Sequence, residues 1–138
     1  MLEFGEKIPG HTYVQRPGAY AVVMKDSLYA VVKNPKSHFL LGGGIEGSET
    51  PEEALHREVY EEIGMSIRID GKIGVALQHI YVPEADVYIS KEGHFYRVTL
   101  LDLVSESSET NHELLWLPLE EVLEKLMHES HRWAITQA

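Results

Sequence analysis

The sequence predicts an α/β domain in which a β-sheet is covered by helices. Over most of the chain, short apolar segments rich in Val, Tyr and Leu alternate with turn residues, which is typical of strands. Helical spacing of apolar residues is confined to one segment in the middle of the chain and to its C-terminal end. Of the 138 residues, 43% are hydrophobic, so one domain spanning residues 1–138 can bury a core of its own.

Strand signals come first along the chain. The apolar run at 18–24 predicts a buried strand, and residues 28–32 follow a turn at 25–27 as the return strand of a hairpin. A break at 34–37 precedes a short strand at 38–41, which leads directly into a run of glycines. The first half of the predicted sheet therefore ends at a glycine-rich loop.

The second half of the chain continues with strands and closes with helices. Strands are predicted at 67–77, with a bend or bulge at Gly71 and Gly74, less clearly from residue 78 into a loop at 83–86, and then at 94–104 and 114–117. A polar loop is predicted at 105–111. Helices are predicted at 118–127, from its apolar spacing, and at 130–137.

The glycine run leads into the helix that has the clearest limits in the sequence. Thr50 can cap its N-terminus, Pro51 suits the first helical position, and Glu53 completes a capping box. Gly64 is placed to end the helix in a left-handed conformation. We therefore predict a helix from residue 51 to residue 63.

One side of this helix is apolar and the adjoining side is acidic. Glu58, Glu61 and Glu62 are spaced i, i+3, i+4, so their carboxylates can converge at the edge of the core. Carboxylates gathered in this way are unfavourable unless a cation joins them. The apolar stripe beside them consists of Leu55, Val59 and Ile63.

A divalent cation would resolve this concentration of negative charge. Mg²⁺ and Mn²⁺ prefer oxygen ligands, and Glu49 in the loop adds a further carboxylate to those of the helix. Arg57 can hold one carboxylate in position through a bidentate pair, and the glycines let the backbone approach the ion or a phosphate. The alternative is a solvated acidic helix face with ordinary ion pairs, which leaves the glycines unexplained.

The same loop also fits the spacing of a dinucleotide-binding motif. Residues 42–47 satisfy G-x-G-x-x-G between a strand and a helix. However, Glu49, Glu52 and Glu53 would repel a pyrophosphate at that helix terminus, and the chain continues as strands rather than as repeated βαβ units. A P-loop is excluded because no Lys-Ser or Lys-Thr pair follows the glycines.

The stretch from residue 43 to residue 65 resembles the Nudix box, G-x5-E-x7-R-E-U-x-E-E-x-G-U, where U is a bulky aliphatic residue. Every fixed position matches: Gly43, Glu49, Arg57, Glu58, Val59, Glu61, Glu62, Gly64 and Met65. The resemblance implies an α/β/α sandwich with a central mixed β-sheet. It also implies hydrolysis of a nucleoside diphosphate linked to another moiety, with Mg²⁺ or Mn²⁺ as cofactor. Leu41 departs from the Pro found in many members, which removes no metal ligand.

The resemblance further implies a role for each polar residue of the box. Glu58 and Glu62 would be the principal metal ligands, and Glu61 would bind metal or help to activate the attacking water. The remaining roles would fall to Gly43, through its backbone carbonyl, to Arg57, by orienting a glutamate, and to Glu49, by supporting the box or a further metal.

Outside the box, three residues are candidates for substrate contact. Arg16 can reach a phosphate from the first strand, and Tyr81 stands where dinucleoside polyphosphate hydrolases of the family tend to carry a base-stacking tyrosine. Glu113, in a late loop, is a candidate base or extra ligand. Lesser or structural roles are expected for Glu109, an acid of the same kind, and for His128 and His131, as helix caps or surface residues.

The formal net charge of −10 bounds the partners of the protein. A surface this acidic disfavours binding to nucleic-acid polymers and to anionic membranes. An anionic partner would therefore need a metal ion to attract it. The chain has no cysteine, no basic-then-apolar leader and no apolar run long enough to span a membrane, which is in keeping with a cytoplasmic location. The family resemblance makes a homodimer one expected state.

Two other functions remain open from the sequence. A catalytically silent nucleotide-binding sensor of the same fold usually lacks box glutamates, all of which are present here. A structural or calcium-binding acidic domain does not account for the spacing. The sequence does not identify the substrate, so nucleoside triphosphates, dinucleoside polyphosphates, ADP-ribose and nucleotide sugars are all candidate substrates.

Overall fold

The computed structural model describes residues 1–106 and 111–138 of the chain. Its strands are β1 (Leu2–Phe4), β2 (Tyr13–Val22), β3 (Met24–Lys25), β4 (Leu28–Lys33), β5 (His38–Phe39), β6 (Leu41–Gly44), β7 (Met65–Val82), β8 (Val87–Leu103) and β9 (Glu113–Pro118). Its helices are α1 (Pro51–Ile63), α2 (Leu119–Lys125) and α3 (Glu129–Gln137). No helix in these two ranges is long and apolar enough to cross a membrane. Most of the predicted loop at 105–111, including Glu109, lies outside the described residues.

A five-stranded mixed sheet forms the centre of the fold, with the strand order β1-β7-β8-β2-β6. Strand β2 runs parallel to β8, and β1 runs parallel to β7, whereas the β7–β8 and β2–β6 pairs are antiparallel. In a second sheet, β4 pairs antiparallel with β3, β5 and β9. The predicted α/β architecture with a central mixed sheet is confirmed.

Two apolar clusters lie between the sheets and the helices. One contains Leu55 and Val59 of α1, packed with Ala19 and Ala21 of β2. The other contains Val122 of α2 and Ala134 and Ile135 of α3, together with Phe95 of β8. Helix α1 therefore covers one layer of the core, and α2 and α3 cover the other. Because β6 lies at the edge of the central sheet, its glycines sit beside the helix that follows them.

Long-range pairing makes several strands longer than predicted. Strand β2 begins at Tyr13 because it pairs with β8 from Tyr88 onward. Strand β7 runs unbroken through the predicted bend or bulge, and the shifts of register with β8 at Gly71 and Gly74 agree with the bulge. Strand β8 accordingly begins at Val87, before the predicted start at residue 94. The three-residue strand β1 was not predicted, since its pairing depends on where β7 lies.

Two other segments differ from their predictions in detail. The predicted strand at 38–41 is two strands, β5 and β6, separated by Leu40, whose amide donates a hydrogen bond to His131 Nδ1 at 3.2 Å. The helix predicted over 118–127 is the shorter α2, because Pro118 occupies its N-cap and Leu126 has extended backbone. The predicted helical piece near the C-terminus is confirmed as α3.

Candidate active site

Local signals fix both ends of α1. The Thr50 side chain accepts a hydrogen bond from the Glu53 amide at 3.1 Å, and the Glu53 carboxylate accepts one from the Thr50 amide at 2.9 Å. Gly64 ends the helix with a φ of 69°. The predicted helix limits are confirmed. Because Leu55 and Val59 are fully buried, the acidic side of the helix is held against the glycines of β6.

The Arg57 guanidinium binds several carboxylates at once. Its Nε and Nη2 donate to the two oxygens of Glu49 at 2.7 and 2.9 Å, which is a bidentate pair. Its Nη1 donates to Glu58 at 3.0 Å and to Glu61 at 3.3 Å. Its Nη2 also donates to the Gly44 carbonyl at 2.9 Å. One cation thus joins the loop to the acidic side of α1.

The electrostatics of this group follow from the same contacts. Hydrogen bonding to Arg57 lowers the pKa of the Glu49 carboxyl to about 2. In return, the carboxylates of Glu49, Glu58 and Glu61 raise the pKa of Arg57 above its ordinary value. Glu49 and Arg57 are therefore both charged at neutral pH.

The glycine at position 43 permits a close approach of Glu58. A Cβ on residue 43 would stand 2.5 Å from the carboxylate carbon of Glu58. Any other residue would displace that carboxylate, so glycine at position 43 lets the backbone of β6 and the acid of α1 meet in the position observed. The sequence predicts that the glycines let the backbone come close to a charged group, and in the structure the backbone of Gly43 lies close to the Glu58 carboxylate.

Glu62 is the most buried acid of the helix, with 4% of its surface exposed. Its Oε1 accepts a hydrogen bond from the Gly42 amide at 3.0 Å, and its Oε2 lies 3.2 Å from His112 Nδ1. The carboxylate lines a small cavity of about 210 Å³. The wall of this small cavity is completed by polar side chains from four strands or loops: Tyr20, Asn34, Lys91 and His112.

Tyr20 is a residue of the small cavity that sequence reasoning missed. Burial, together with the negative charges of Glu58 and Glu62, raises the pKa of its phenol to about 12. The hydroxyl therefore keeps its proton at working pH and can donate it in a hydrogen bond to an anion. Its position at the end of an apolar strand gave no signal, since half-buried tyrosines are common in strands.

His112 also lines the small cavity, although the neighbouring Glu113 was the predicted candidate. His112 immediately precedes β9 and lies beside Glu62, whereas Glu113, the first residue of β9, is exposed and pairs in register with Lys33. Glu113 as a base or ligand stays a prediction.

The other two predicted substrate contacts lie at different distances from the box. Arg16 is exposed on the first half of β2 and is in register with Lys91 of β8. Tyr81 is 43% exposed near the end of β7, where its hydroxyl donates to Asp86 at 2.9 Å. Its ring lies 4.7 Å from that of Tyr88. Both roles stay predictions.

A larger cavity of about 570 Å³ adjoins the small one. Phe39 and Lys91 line both. Tyr81 stands in the wall of the large cavity together with apolar residues of β7 and β8, namely Ile80, Val82 and Ile89. The space beside the box therefore has room for more than a pyrophosphate group.

The two C-terminal histidines are buried, so the expectation of surface positions is wrong, whereas the expected cap position is confirmed for His128, the N-cap residue of α3. His128 and His131 expose 4% and 2% of their surface, because α3 packs against the central sheet. Burial, reinforced by the positive charge of Lys91, lowers the pKa of His128 to about 4 and that of His131 well below its ordinary value. Each ring accepts a hydrogen bond, from Lys91 and from the Leu40 amide respectively.

The donor set beside Gly43 suits a hard divalent ion. Within residues 1–106 and 111–138, no three His, Asp or Glu side chains are already gathered as a metal site. Mg²⁺ does not require such a cage, because it usually binds one or two carboxylates and completes its shell with water and substrate phosphates. Glu58 against the backbone of Gly43, with Glu61 and Glu62 on the same helix, offers oxygen atoms of this kind.

Comparisons with known proteins agree with this geometry. A family model described as NUDIX domain matches residues 14–138. A NUDIX hydrolase from Nitrosomonas europaea has a TM-score of 0.74 at 18% identity, covering 90% of this chain and 88% of its own. A MutT NUDIX hydrolase from Burkholderia pseudomallei has a TM-score of 0.69 at 20% identity, covering 91% and 98%.

A MutT protein from Methanosarcina mazei Go1 is also similar, with a TM-score of 0.66 at 17% identity over 91% of this chain and 93% of its own. No protein of curated function matches the sequence. At these identities the structural likeness shows the fold, whereas the family match extends over most of the chain. The chain therefore belongs to the Nudix family and has that family's hydrolase fold.

Proposed function

We propose that this protein hydrolyses a pyrophosphate bond in a nucleoside diphosphate linked to another moiety, and that it requires Mg²⁺ or Mn²⁺. The observation that carries the proposal is the set of bonds made by Arg57. One guanidinium joins Glu49, Glu58, Glu61 and the Gly44 carbonyl, so the glycine loop and the acidic side of α1 form one unit. A unit of this kind is suited to hold oxygen atoms around a cation.

Glu58 and Glu62 are the proposed principal metal ligands. Their supports differ, since Glu58 lies against Gly43 and Arg57, whereas Glu62 receives the Gly42 amide and lies beside His112. When bound, the ion would neutralise charge on the phosphate oxygens and make a neighbouring water a better nucleophile at neutral pH. The proposed roles of the other residues are metal binding or water activation for Glu61, carbonyl donation for Gly43, and support of the box for Glu49.

Arg57 acts as a positioning residue in this proposal. Its bidentate pair with Glu49 leaves Nη1 free to hold Glu58 and Glu61 at fixed distances on the other side of the guanidinium. Orientation before the reaction matters because carboxylates that must reorganise during it stabilise the transition state less. Tyr20 adds a neutral hydrogen-bond donor in the small cavity, which would suit a phosphate oxygen.

The nature of the substrate is tested by a panel. One structural neighbour is named as a UDP-X diphosphatase, with a TM-score of 0.64 at 17% identity and 65% of its own chain covered, and others are named MutT. The panel therefore includes nucleotide sugars and nucleoside triphosphates, together with dinucleoside polyphosphates and ADP-ribose. The nucleoside monophosphate and the other products are separated by chromatography and measured with and without Mg²⁺, and at least one compound is expected to be cleaved only when Mg²⁺ is present.

The roles of the helix acids are tested by Glu61→Gln and Glu62→Gln. Each removes one negative charge with almost no change of shape, so we expect kcat to fall by about 100-fold or more while the circular dichroism spectrum is unchanged. Glu120→Gln is the matched control, because Glu120 is an exposed acid at the start of α2. If both helix variants cleave the best substrate as fast as Glu120→Gln, the assigned roles are wrong.

Three further properties are proposed with this function. We propose that residues 1–138 act as one domain, since the family match spans residues 14–138. A cytoplasmic location is supported by the absence of cysteine from the sequence. A homodimer is supported only by the frequency of that state among similar proteins, and the mass of the protein in solution tests it.

A further inference from the structure

The small and large cavities meet at two residues. Phe39 of β5 and Lys91 of β8 line both, whereas Glu62 and Gly43 line only the small cavity and Tyr81 lines only the large one. A molecule that begins at the acidic side of α1 and extends into the larger space must therefore pass Lys91. Of the two shared residues, only Lys91 carries a charge.

Lys91 is a partly buried cation in an unusual setting. Its Nζ donates a hydrogen bond to His128 Nε2 at 3.2 Å, and His128 is itself buried. Within the described ranges, no ion pair joins Lys91 to a carboxylate. Burial, together with the positive charge of Lys36, lowers the pKa of the Lys91 amine. A neutral imidazole holds the ammonium in place but does not balance its charge.

An unpaired ammonium in this partly buried position lowers the stability of the fold. Buried charges are normally paired, and the removal of an unpaired one by an apolar side chain often stabilises a protein. The cations Lys36 and Arg132 also line the large cavity, so that with Lys91 they outnumber its two carboxylates, Glu84 and Glu129, although the protein as a whole carries a net charge of −10. This local concentration of positive charge is suited to an anion.

We propose that Lys91 is a substrate-binding residue that contacts a phosphate oxygen where the substrate passes from the small cavity into the large one. The large cavity then holds the part of the substrate beyond that phosphate. This inference rests on the proposed hydrolysis of a nucleotide pyrophosphate bond. Lys91 belongs to β8, outside the box, and its contact with the phosphate would fix the direction in which the substrate lies.

The test compares Lys91→Met, Lys91→Gln and Lys91→Arg with Lys125→Met. Methionine keeps the length and apolar stem of lysine without the charge, and arginine keeps the charge. Lys125 is the control because it is exposed near the end of α2 and lines neither cavity. Three quantities are measured: kcat and KM for the fastest substrate of the panel, the affinity for inorganic pyrophosphate in Mg²⁺ by calorimetry, and the unfolding temperature.

Lys91→Met is expected to raise KM and to weaken pyrophosphate binding by roughly 10- to 100-fold, with kcat changed by less than about threefold. The lysine would contact a phosphate oxygen of the bound substrate before and during the reaction, so it contributes to binding rather than to the transition state alone. Lys91→Arg is expected to retain most of the affinity, and Lys125→Met all of it. The unfolding temperature of Lys91→Met is expected to be equal to or above that of the parent, because an unbalanced charge has been removed.

Two results would overturn the inference. One is a folded Lys91→Met protein with KM and pyrophosphate affinity equal to those of Lys125→Met. The other is a combination of two findings: the unfolding temperature of Lys91→Met falls markedly, and the KM of Lys91→Gln equals that of the parent. Together they would show that the lysine is needed for stability and not for substrate binding. If the parent cleaves no nucleotide but binds pyrophosphate through Lys91, the proposed function fails and the inference stands.

Discussion

At the scale of single residues, Arg57 contributes through the geometry of its side chain. Five N–H groups in one plane let it bind Glu49 with two parallel bonds while it holds Glu58, Glu61 and a backbone carbonyl. A lysine has one ammonium, which cannot occupy all of these positions. The charge of Arg57 and its shape are therefore separable by substitution.

Arg57→Lys is expected to lower kcat by about 10- to 100-fold while the protein remains folded, because the carboxylates keep a cation but lose their fixed positions. Steady-state kinetics in Mg²⁺ measure the effect. Arg68→Lys is the control, since Arg68 pairs with Asp70 at 2.7 Å on the exposed part of β7 and contacts no box residue. Equal activities of the two variants would contradict the positioning role.

The polar residues of the box could be predicted from the sequence because their spacing is local. A helix sets the relative directions of Glu58, Glu61 and Glu62 by itself. Tyr20, Lys91 and His112 could not be predicted as cavity residues, because strands β2, β8 and β9 bring them to the box from far along the chain. Nothing in their own neighbourhoods marks them.

At the scale of elements, α1 depends on what stops it. Gly64 has a φ of 69°, and a Cβ there would overlap the carbonyl oxygen of Ser105. Gly47 has a similar φ of 52°, but a Cβ there would meet nothing within 4 Å. The two glycines share the left-handed backbone, and they differ in the space around them.

Gly64→Ala is accordingly expected to destabilise the protein by more than Gly47→Ala. The left-handed conformation costs about 1 kcal/mol for alanine at either position, and the clash at residue 64 adds roughly 1–3 kcal/mol. The free energy of unfolding in urea measures both. Equal losses would show that the chain after α1 moves aside readily, and that Gly64 is required only for its backbone angle.

The same element shows which parts of the fold were predictable. Capping residues and glycine act within a few positions of the helix ends, so the limits of α1 were predicted correctly. The limits of β7 and β8 depend on their pairing with each other over 17 or 18 residues, which no short window contains. Strand β1 exists only because β7 offers it an edge.

At the scale of the whole molecule, α3 ties the C-terminus to both sheets through buried histidines. His131 accepts a hydrogen bond from the amide of Leu40, between β5 and β6, and His128 accepts one from Lys91 of β8. Both rings are neutral in the folded protein, since burial and the positive charges of Lys91 and Arg132 lower their pKa values. In the unfolded chain each has an ordinary pKa of about 6.5.

Stability is therefore expected to fall as the pH is lowered from about 6.5 towards about 4. The unfolded chain binds protons at these histidines in that range and the folded protein does not, so the contribution is fully present above pH 6.5. Urea unfolding at pH 7.5, 6.0 and 5.0 is expected to show a loss on the order of 2 kcal/mol. The change should be smaller in His128→Asn, and an identical pH dependence in that variant would contradict the assignment.

The central claim is that the acidic side of α1 binds a divalent ion, and calorimetric titration of Mn²⁺ tests it most directly. The parent protein is expected to bind Mn²⁺, and Glu58→Gln and Glu62→Gln are each expected to weaken that binding by about tenfold or more, whereas Glu120→Gln leaves it unchanged. If the two helix variants bind Mn²⁺ as tightly as the parent does, the ion lies elsewhere and the account of this site is wrong.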